Sequence, residues 1–190
     1  MSKRQQQKAD TRHRLLAEAK RLFIEQGYEP TTTRQLARVC DVSVGTVFSH
    51  FPDKPTLLRA ILYNDVESAL AWAREEVPKS SGGLEVLLIH ARHLYRFYAS
   101  NPTLSRALLT TSMFDMSGFG SQLTGFMSEL SRRLTGVDGL TEERAYWVSR
   151  AWMASYFFVL VEGLGGEEMD VEDWLRLLRG QCEVVGLGAG

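Results

Sequence analysis

Apolar and polar positions along the chain repeat with a helical period. The first clear segment is preceded by Asp10 or Thr11, either of which can cap a helix N-terminus. Gly27 follows it, where a left-handed residue ends a helix. The pattern predicts a helix from about residue 10 to residue 26. Its apolar stripe consists of Leu15, Ala19, Leu22 and Phe23.

Two short helices joined by a tight turn are predicted next. Thr32 or Thr33 caps the first and Ser43 caps the second. Asp41 stands at the turn, where aspartate tolerates a left-handed backbone better than most residues. Two such helices behind a longer one match a helix-turn-helix unit. The first contains Leu36, Ala37 and Val39, and the second has Val47 and Phe51 facing inward.

The rest of the chain also reads as helices, because runs of β-branched residues are scarce. A long helix is expected from about residue 55 to residue 77. Glycine, proline and serine positions divide the remainder into five more helices. These are expected near 84–100, 103–114, 119–135, 141–164 and 170–185. The fold class is therefore all-α, with a helix-turn-helix head over residues 1–54 and a helical body over residues 55–190.

The near-neutral net charge hides an uneven distribution. Residues 1–60 hold 11 Lys and Arg against 6 Asp and Glu, a net charge of +5. Residues 61–190 hold 11 against 17, a net charge of −6. A basic head favours contact with a polyanion such as DNA. Chance segregation of solvated charges is the alternative, and charge alone does not decide between them.

Composition points to a soluble, cytoplasmic chain without a membrane partner. No apolar run reaches the length of a membrane span, and the basic start MSKRQQQKAD has no apolar segment behind it. Cys40 and Cys182 lie far apart without metal spacing and are expected to be reduced thiols, with Cys40 a small core residue.

No motif for catalysis is recognisable. The sequence has no GxSxG, no HExxH and no phosphate-binding glycine loop. His90 and His93 are three residues apart, but no cysteine or carboxylate pattern accompanies them. We therefore expect no enzyme activity, no cofactor and no metal site.

About 50 residues from Leu15 to Leu62 resemble the DNA-binding head of the tetracycline-repressor (TetR) family of bacterial transcription regulators. The order and spacing of the matching residues are specific, and the chain length and helical remainder also suit the family. The matching residues are Ala19, Leu22, Phe23, Gly27, Tyr28, Thr32, Thr33, Leu36, Ala37, Val42, Ser43, Gly45, Thr46, Phe48, His50, Phe51, Lys54, Leu57 and Leu58.

The resemblance implies that the second short helix enters the major groove of double-stranded operator DNA. It also implies that His50 and Lys54 contact the DNA backbone. Thr33 and its neighbours at the first short helix either bind phosphate or cap the helix, and both roles can coexist. The predicted DNA-binding residues are Thr32, Thr33, Arg34, Ser43, Val44, Gly45, Thr46, Phe48, Ser49, His50 and Lys54.

Several positions in the head leave alternatives open. Gly45 either lets DNA backbone or base approach closely or is needed for packing against the first helix. Val44 is expected to be exposed, and we hypothesise that it contacts a thymine methyl group. Phe48 stands where the family usually has tyrosine, so a phosphate-binding hydroxyl is absent. Asp41 replaces the usual turn glycine. The basic N-terminal arm either adds DNA contacts or is a disordered tail.

For the body, the resemblance implies a homodimer in which the last two helices of each subunit form a four-helix bundle. Aromatic and methionine residues elsewhere in the body are candidates for a small-molecule pocket, although core packing is the favoured explanation for any single one of them. The predicted interface comprises Trp147, Ala151, Ser155, Val159, Trp174, Leu175 and Leu178. The predicted effector pocket comprises His90, Tyr95, Tyr98, Met113, Phe114, Phe119, Phe126, Met127, Trp152 and Tyr156.

The function these features favour is that of a ligand-responsive, dimeric transcriptional repressor. A small apolar or aromatic effector would release it from its operator. The alternative is a DNA-binding regulator or architectural protein that a protein partner controls, without a small-molecule effector. A solid core without a cavity would favour that alternative.

Overall fold

The computed structural model describes residues 2–112, 120–166 and 170–187, and within these ranges it is helical with no strand. The predicted all-α fold is confirmed. The helices are α1 (Lys3–Gln26), α2 (Thr33–Val39), α3 (Val44–His50), α4 (Lys54–Glu76), α5 (Gly83–Ser100), α6 (Pro102–Ser112), α7 (Gly120–Gly136), α8 (Glu142–Gly165) and α9 (Val171–Leu187). No helix in the described part of the chain is both long and apolar enough to span a membrane.

The first helix is longer than its apolar stripe predicts. It begins at Lys3 rather than near Asp10, so the expected start is wrong and the arm is not a disordered tail. A capping box fixes this end: the Ser2 hydroxyl accepts from the Gln5 amide at 3.3 Å, and the Gln5 side chain accepts from the Ser2 amide at 2.7 Å. The added turns are polar all round, so hydrophobic periodicity could not reveal them.

The chain divides into two compact units. One comprises the described residues of Met1–Asn64 and Thr103–Asp115, and the other those of Asp65–Pro102 and Met116–Gly190. We call them the head unit and the body unit. The helix α4 is continuous and contributes its first part to the head unit and its second part to the body unit. The predicted domain boundary between residues 54 and 55 stays a prediction.

The head unit encloses the apolar residues that the sequence pattern predicts to be buried. Leu15, Ala19 and Val47 are fully buried, and Phe51 is nearly so. Cys40 is buried as a small core residue, as predicted. On α2, Leu36 and Ala37 are buried, whereas Val39, the last residue of the helix, is 45% exposed.

The body unit is built from α5, α7, α8 and α9, with α8 and α9 packed closely along each other. Tyr95 lies at its centre, stacked on Tyr156 at 5.0 Å between ring centroids and edge-on to Trp174 at 5.4 Å. The Trp174 indole lies directly on the backbone of Gly163, so a β-carbon at that glycine would overlap the ring. The absence of a side chain at Gly163 lets α8 and α9 approach each other.

Candidate nucleic-acid interface

Side-chain caps define the start of each short helix in the head unit. The Thr32 hydroxyl accepts from the Gln35 amide at 3.1 Å, and the Ser43 hydroxyl accepts from the Thr46 amide at 3.0 Å. Each cap satisfies one amide that would lack a helical partner. Of the two capping threonines predicted for α2, Thr32 has the role and Thr33 is the first helical residue.

The turn between α2 and α3 depends on a left-handed residue. Asp41 has a φ of 49° and is the one non-glycine residue with positive φ in the described part of the chain. The next amide, that of Val42, donates to the Ala37 carbonyl at 3.0 Å and so closes the end of α2. Aspartate tolerates this backbone better than most residues. The turn predicted at Asp41 is confirmed.

One face of α3 packs inside the head unit and the other faces solvent. Val47 is fully buried, whereas Gly45 and Ser49 are exposed and Phe48 is 47% exposed. Val44, the first residue of α3, is half-buried, so part of its side chain stays accessible and the thymine contact remains a prediction. The solvent face thus presents a glycine, a hydroxyl and an aromatic ring.

Gly45 has room for a side chain. A β-carbon built there would have the Ser43 hydroxyl oxygen as a near neighbour at 3.7 Å, an ordinary van der Waals contact. Its φ is not in the left-handed region. Neither packing against α1 nor backbone conformation therefore requires glycine at this position. The sequence left two explanations for this glycine: packing against α1 or the close approach of DNA. The space around Gly45 argues against packing and favours the close approach of DNA.

The hydroxyl groups of α3 are already oriented. The Ser43 and Thr46 hydroxyl oxygens lie 2.9 Å apart, and the Ser49 hydroxyl donates to the Thr46 carbonyl at 2.7 Å. On α2, Thr33 is half-buried while Arg34 is exposed beside the helix start. The hydroxyl groups at α3 and the Arg34 side chain on α2 therefore leave polar atoms at the surface of the head unit.

Lys54 is held by contacts within the head unit. Its ammonium donates to the Glu29 carbonyl at 3.0 Å, lies 3.9 Å from the Glu29 carboxylate and sits 4.2 Å from the Tyr28 ring centroid. Partial burial lowers the pKa of Lys54, although the nearby Glu29 charge opposes this. An ammonium has three N–H donors, so a phosphate contact can be added to these. That contact stays a prediction.

The C-terminal end of α3 has a cationic neighbour outside the predicted set of DNA-binding residues. The Arg12 guanidinium donates to the His50 carbonyl at 3.2 Å and lies over the Phe51 ring at 4.4 Å. Desolvation lowers the pKa of His50, and the charges of Lys8 and Arg12 lower it further. Lys8 and Arg12 are four residues apart in the sequence, a spacing that places two side chains on the same face of a helix. This spacing could have identified Arg12 only if α1 had been predicted to begin before Lys8.

Four of the predicted effector-pocket residues contact one another as two ring pairs in the body unit. Tyr95 and Tyr156 are stacked in the core, with the Tyr95 hydroxyl donating to the Tyr156 carbonyl at 2.9 Å. His90 is buried against the Phe126 ring at 4.7 Å between centroids, and burial lowers its pKa. Both groups are packed side chains of the core or its margin.

The remaining members of the predicted pocket have other surroundings. Trp152 is buried, and its indole N–H donates to the Cys182 carbonyl at 2.9 Å. Tyr98 and Met127 are half-buried. Outside the described residues lie Met113, Phe114 and Phe119. The pocket as a whole stays a prediction.

The Tyr156 hydroxyl is buried and has no hydrogen-bond partner in the part of the chain that the structure describes. Burial raises the pKa of this phenol well above its usual value, and burial alone raises the pKa of Tyr98 to about 12. Both side chains therefore stay neutral near pH 7. Burial of a hydroxyl without a hydrogen-bond partner costs about 1–3 kcal/mol. A ligand that forms a hydrogen bond with the Tyr156 hydroxyl would remove this cost.

Three residues of the predicted dimer interface lie instead in the core of the body unit, and this part of the prediction is corrected. Val159, Trp174 and Leu178 are at most 2% exposed because they pack between α8, α9 and α5. The other four are accessible: Trp147 is 60% exposed, and Ala151, Ser155 and Leu175 are half-buried.

The same two helices expose apolar residues that the sequence pattern did not single out. They are Phe157, Phe158, Val161, Leu177, Val184 and Val185. Because α8 is apolar on most sides, its sequence holds no signal that separates these positions from the buried ones.

A head unit with this capped helix-turn-helix belongs to the class of helix-turn-helix proteins. The family sequence model described as bacterial regulatory proteins, tetR family, matches residues 15–61. The HTH-type transcriptional regulator UidR of Escherichia coli (strain K12) is 35% identical over 77 residues, which are 40% of this chain and 39% of that protein. The repressor AcnR of Corynebacterium glutamicum is 31% identical over 107 residues, 55% of this chain and 54% of that protein.

The fold likeness extends over nearly the whole chain. A TetR transcriptional regulator from Rhodococcus sp. RHA1 has a TM-score of 0.64 at 19% identity, covering 93% of this chain and 98% of that one. The sequence matches span about two fifths of the length of UidR and about half the length of AcnR. Over residues 15–61 the chain has the sequence signature of bacterial regulatory proteins of the tetR family.

Proposed function

We propose that the protein is a transcriptional regulator that binds double-stranded DNA through α3. The observation that carries the proposal is Gly45: it lies exposed at the start of α3, and the fold leaves room for a side chain there. A helix that enters the major groove with its N-terminal end needs a small residue where the backbone meets DNA. The hydroxyls of Ser43, Thr46 and Ser49 and the exposed Phe48 surround this position.

The names of the relatives support repression of transcription over activation. AcnR is named a transcriptional repressor and UidR a transcriptional regulator. Repression is accordingly the form of control we propose.

The functional unit we propose is a homodimer, because one short helix reads too few bases for a specific site. Large apolar residues are exposed on α8 and α9, among them Trp147 at 60% and Phe158 at 62%. On α8 the exposed or half-buried positions follow a repeat of three and four residues, the spacing that packs helices into a four-helix bundle. That series is Trp147, Ala151, Ala154, Phe158 and Val161.

The effector we propose is a small, neutral, apolar or aromatic molecule bound in the body unit. The stacked rings of Tyr95 and Tyr156 make the surroundings apolar, and the buried Tyr156 hydroxyl offers one hydrogen-bonding group without a partner among the described residues. Burial is the main cause of the raised pKa of Tyr156 and of Tyr98, and a buried, apolar environment favours an uncharged ligand. Differential binding of this ligand to two states of the protein would provide the switch.

The test is fluorescence anisotropy of the full-length protein on labelled duplexes that tile the DNA upstream of its own gene. We expect one duplex to bind with a Kd below about 100 nM near physiological salt, against about 1 μM or weaker for an unrelated duplex. Gly45→Trp should abolish the preference without lowering the melting temperature. Equal, weak binding of all duplexes by the native protein would contradict the proposal.

A further inference from the structure

The first three turns of α1 carry a row of basic side chains on one face. Arg4, Lys8 and Arg12 are spaced four residues apart, and successive members are therefore only about 40° apart around the helix. The same face is the one buried in the head unit farther along, at Leu15 and Ala19. We call the three cations the α1 basic row. It continues the inward face of α1 beyond the end of the apolar core.

Arg12 shows where this row lies relative to the recognition helix α3. Its guanidinium donates to the carbonyl of His50, the last residue of α3, and covers the ring of Phe51. Lys8, one turn earlier, is close enough for its charge to act on His50. The row therefore starts beside the C-terminal end of α3 and runs away from it along α1.

The charges of the α1 basic row are not neutralised within the protein. Among the described residues, no carboxylate forms an ion pair with Arg4, Lys8 or Arg12, whereas Arg21 on the same helix pairs with two glutamates. Asp10 is the one acidic residue before Glu18, and it lies on the opposite face, bonded to Gln6. All three side chains are exposed, and like charges four residues apart destabilise a helix modestly, so a bound anion would relieve this repulsion.

We propose that the α1 basic row binds DNA phosphates next to the bases that α3 reads, and so widens the footprint of each head. The inference rests on the proposed function. The row is about 12 Å long, which matches the rise of three or four nucleotides along one strand. Arg12 is already fixed by His50 and Phe51, so it loses little side-chain entropy on binding, and its remaining N–H donors suit a phosphate.

The test measures how the affinity for DNA depends on salt, using the full-length protein and the upstream duplex that binds it most tightly. Removal of one phosphate contact should reduce the slope of log K against log salt by about 0.9. The Lys8→Ala variant should therefore show a slope that is shallower by about 0.9. The double variant Lys8→Ala, Arg12→Ala should show a slope that is shallower by about 2. The double variant should bind about 10-fold to 100-fold more weakly, equally for all operator variants.

Arg21→Ala is the matched control, because it removes one positive charge from the opposite face of α1. It should leave the slope unchanged. Lys8→Ala changes one exposed side chain, so its result stands even if removal of the Arg12 side chain from the Phe51 ring destabilises the double variant. On a duplex trimmed to the bases that α3 protects, the difference between native and variant proteins should shrink.

Two results would overturn the inference. One is a slope that falls no further in the Lys8 and Arg12 variants than in Arg21→Ala. The other is a defect that persists undiminished on the trimmed duplex. Failure of the proposed function looks different: the native protein itself would bind every upstream duplex as weakly as an unrelated one.

Discussion

Gly163 in the body unit and Gly45 in the head unit differ in how much room the fold leaves for a side chain. Gly163 on α8 is buried under the Trp174 indole, and a β-carbon there would overlap the ring. Gly45 on α3 faces solvent, and a β-carbon there would meet only ordinary contacts. In the body unit the small residue serves the packing of the protein itself. In the head unit the fold does not need it, which points to a partner outside the chain.

The most damaging substitution should be at the buried glycine. Gly163→Ala should lower the free energy of unfolding by about 3 kcal/mol, because the added methyl group forces α8 and α9 apart in a close-packed core. Gly180→Ala on α9 is the control. Apart from the backbone of its own helix, no atom of the described residues lies within 4 Å of its β-carbon position, so better helix propensity should raise stability by about 0.5–1 kcal/mol. Urea unfolding measures both. Effects of equal sign would show that Gly163 is not required by packing.

A second, weaker consequence concerns the exposed apolar face of the body unit. Phe158→Glu should weaken self-association at least 100-fold, since the ring of each copy would be replaced by a charge at a symmetric contact. Sedimentation equilibrium measures this. Trp72→Glu on α4 removes an equally exposed aromatic residue outside the predicted bundle and should leave the dimer intact. A monomeric Trp72 variant, or a dimeric Phe158 variant, would show that the interface lies elsewhere.

The mildest changes should come from the two stacked tyrosines, and they should differ in sign. Tyr95→Phe removes a hydroxyl that donates to the Tyr156 carbonyl and should cost about 1 kcal/mol. Tyr156→Phe removes a buried hydroxyl without a partner among the described residues and should raise stability by up to about 1 kcal/mol. Thermal unfolding of both variants decides this. A loss of stability in Tyr156→Phe would mean that the hydroxyl is satisfied in the free protein.

The head is predictable from sequence because its determinants are local. Ser43 caps α3 and Asp41 takes the left-handed turn, and both roles follow from residue type and spacing within a few positions. The start of α1 is harder to predict, because the Ser2–Gln5 capping box precedes a polar stretch with no apolar period. Local chemistry fixes that end of the helix, and the apolar stripe carries no information about it.

The body is less predictable because its determinants are tertiary. The helix α8 is apolar on most sides, so its sequence does not say which face meets α9 and which remains exposed. Val159 and Phe158 are neighbours of similar character, yet one is fully buried and the other 62% exposed. The freedom at Gly45 is also invisible in the sequence, because it depends on the position of Ser43 and on the distance to α1.

We propose that Gly45 serves a DNA partner, because the fold leaves room for a side chain there. The decisive experiment determines the unfolding free energy and the DNA affinity of Gly45→Gln, beside Gly180→Gln as the matched exposed glycine. We expect stability within about 0.5 kcal/mol of the native protein for both variants. DNA affinity should fall at least 100-fold for Gly45→Gln alone. An unchanged affinity, or a loss of stability that accompanies the loss of binding, would contradict this role of Gly45.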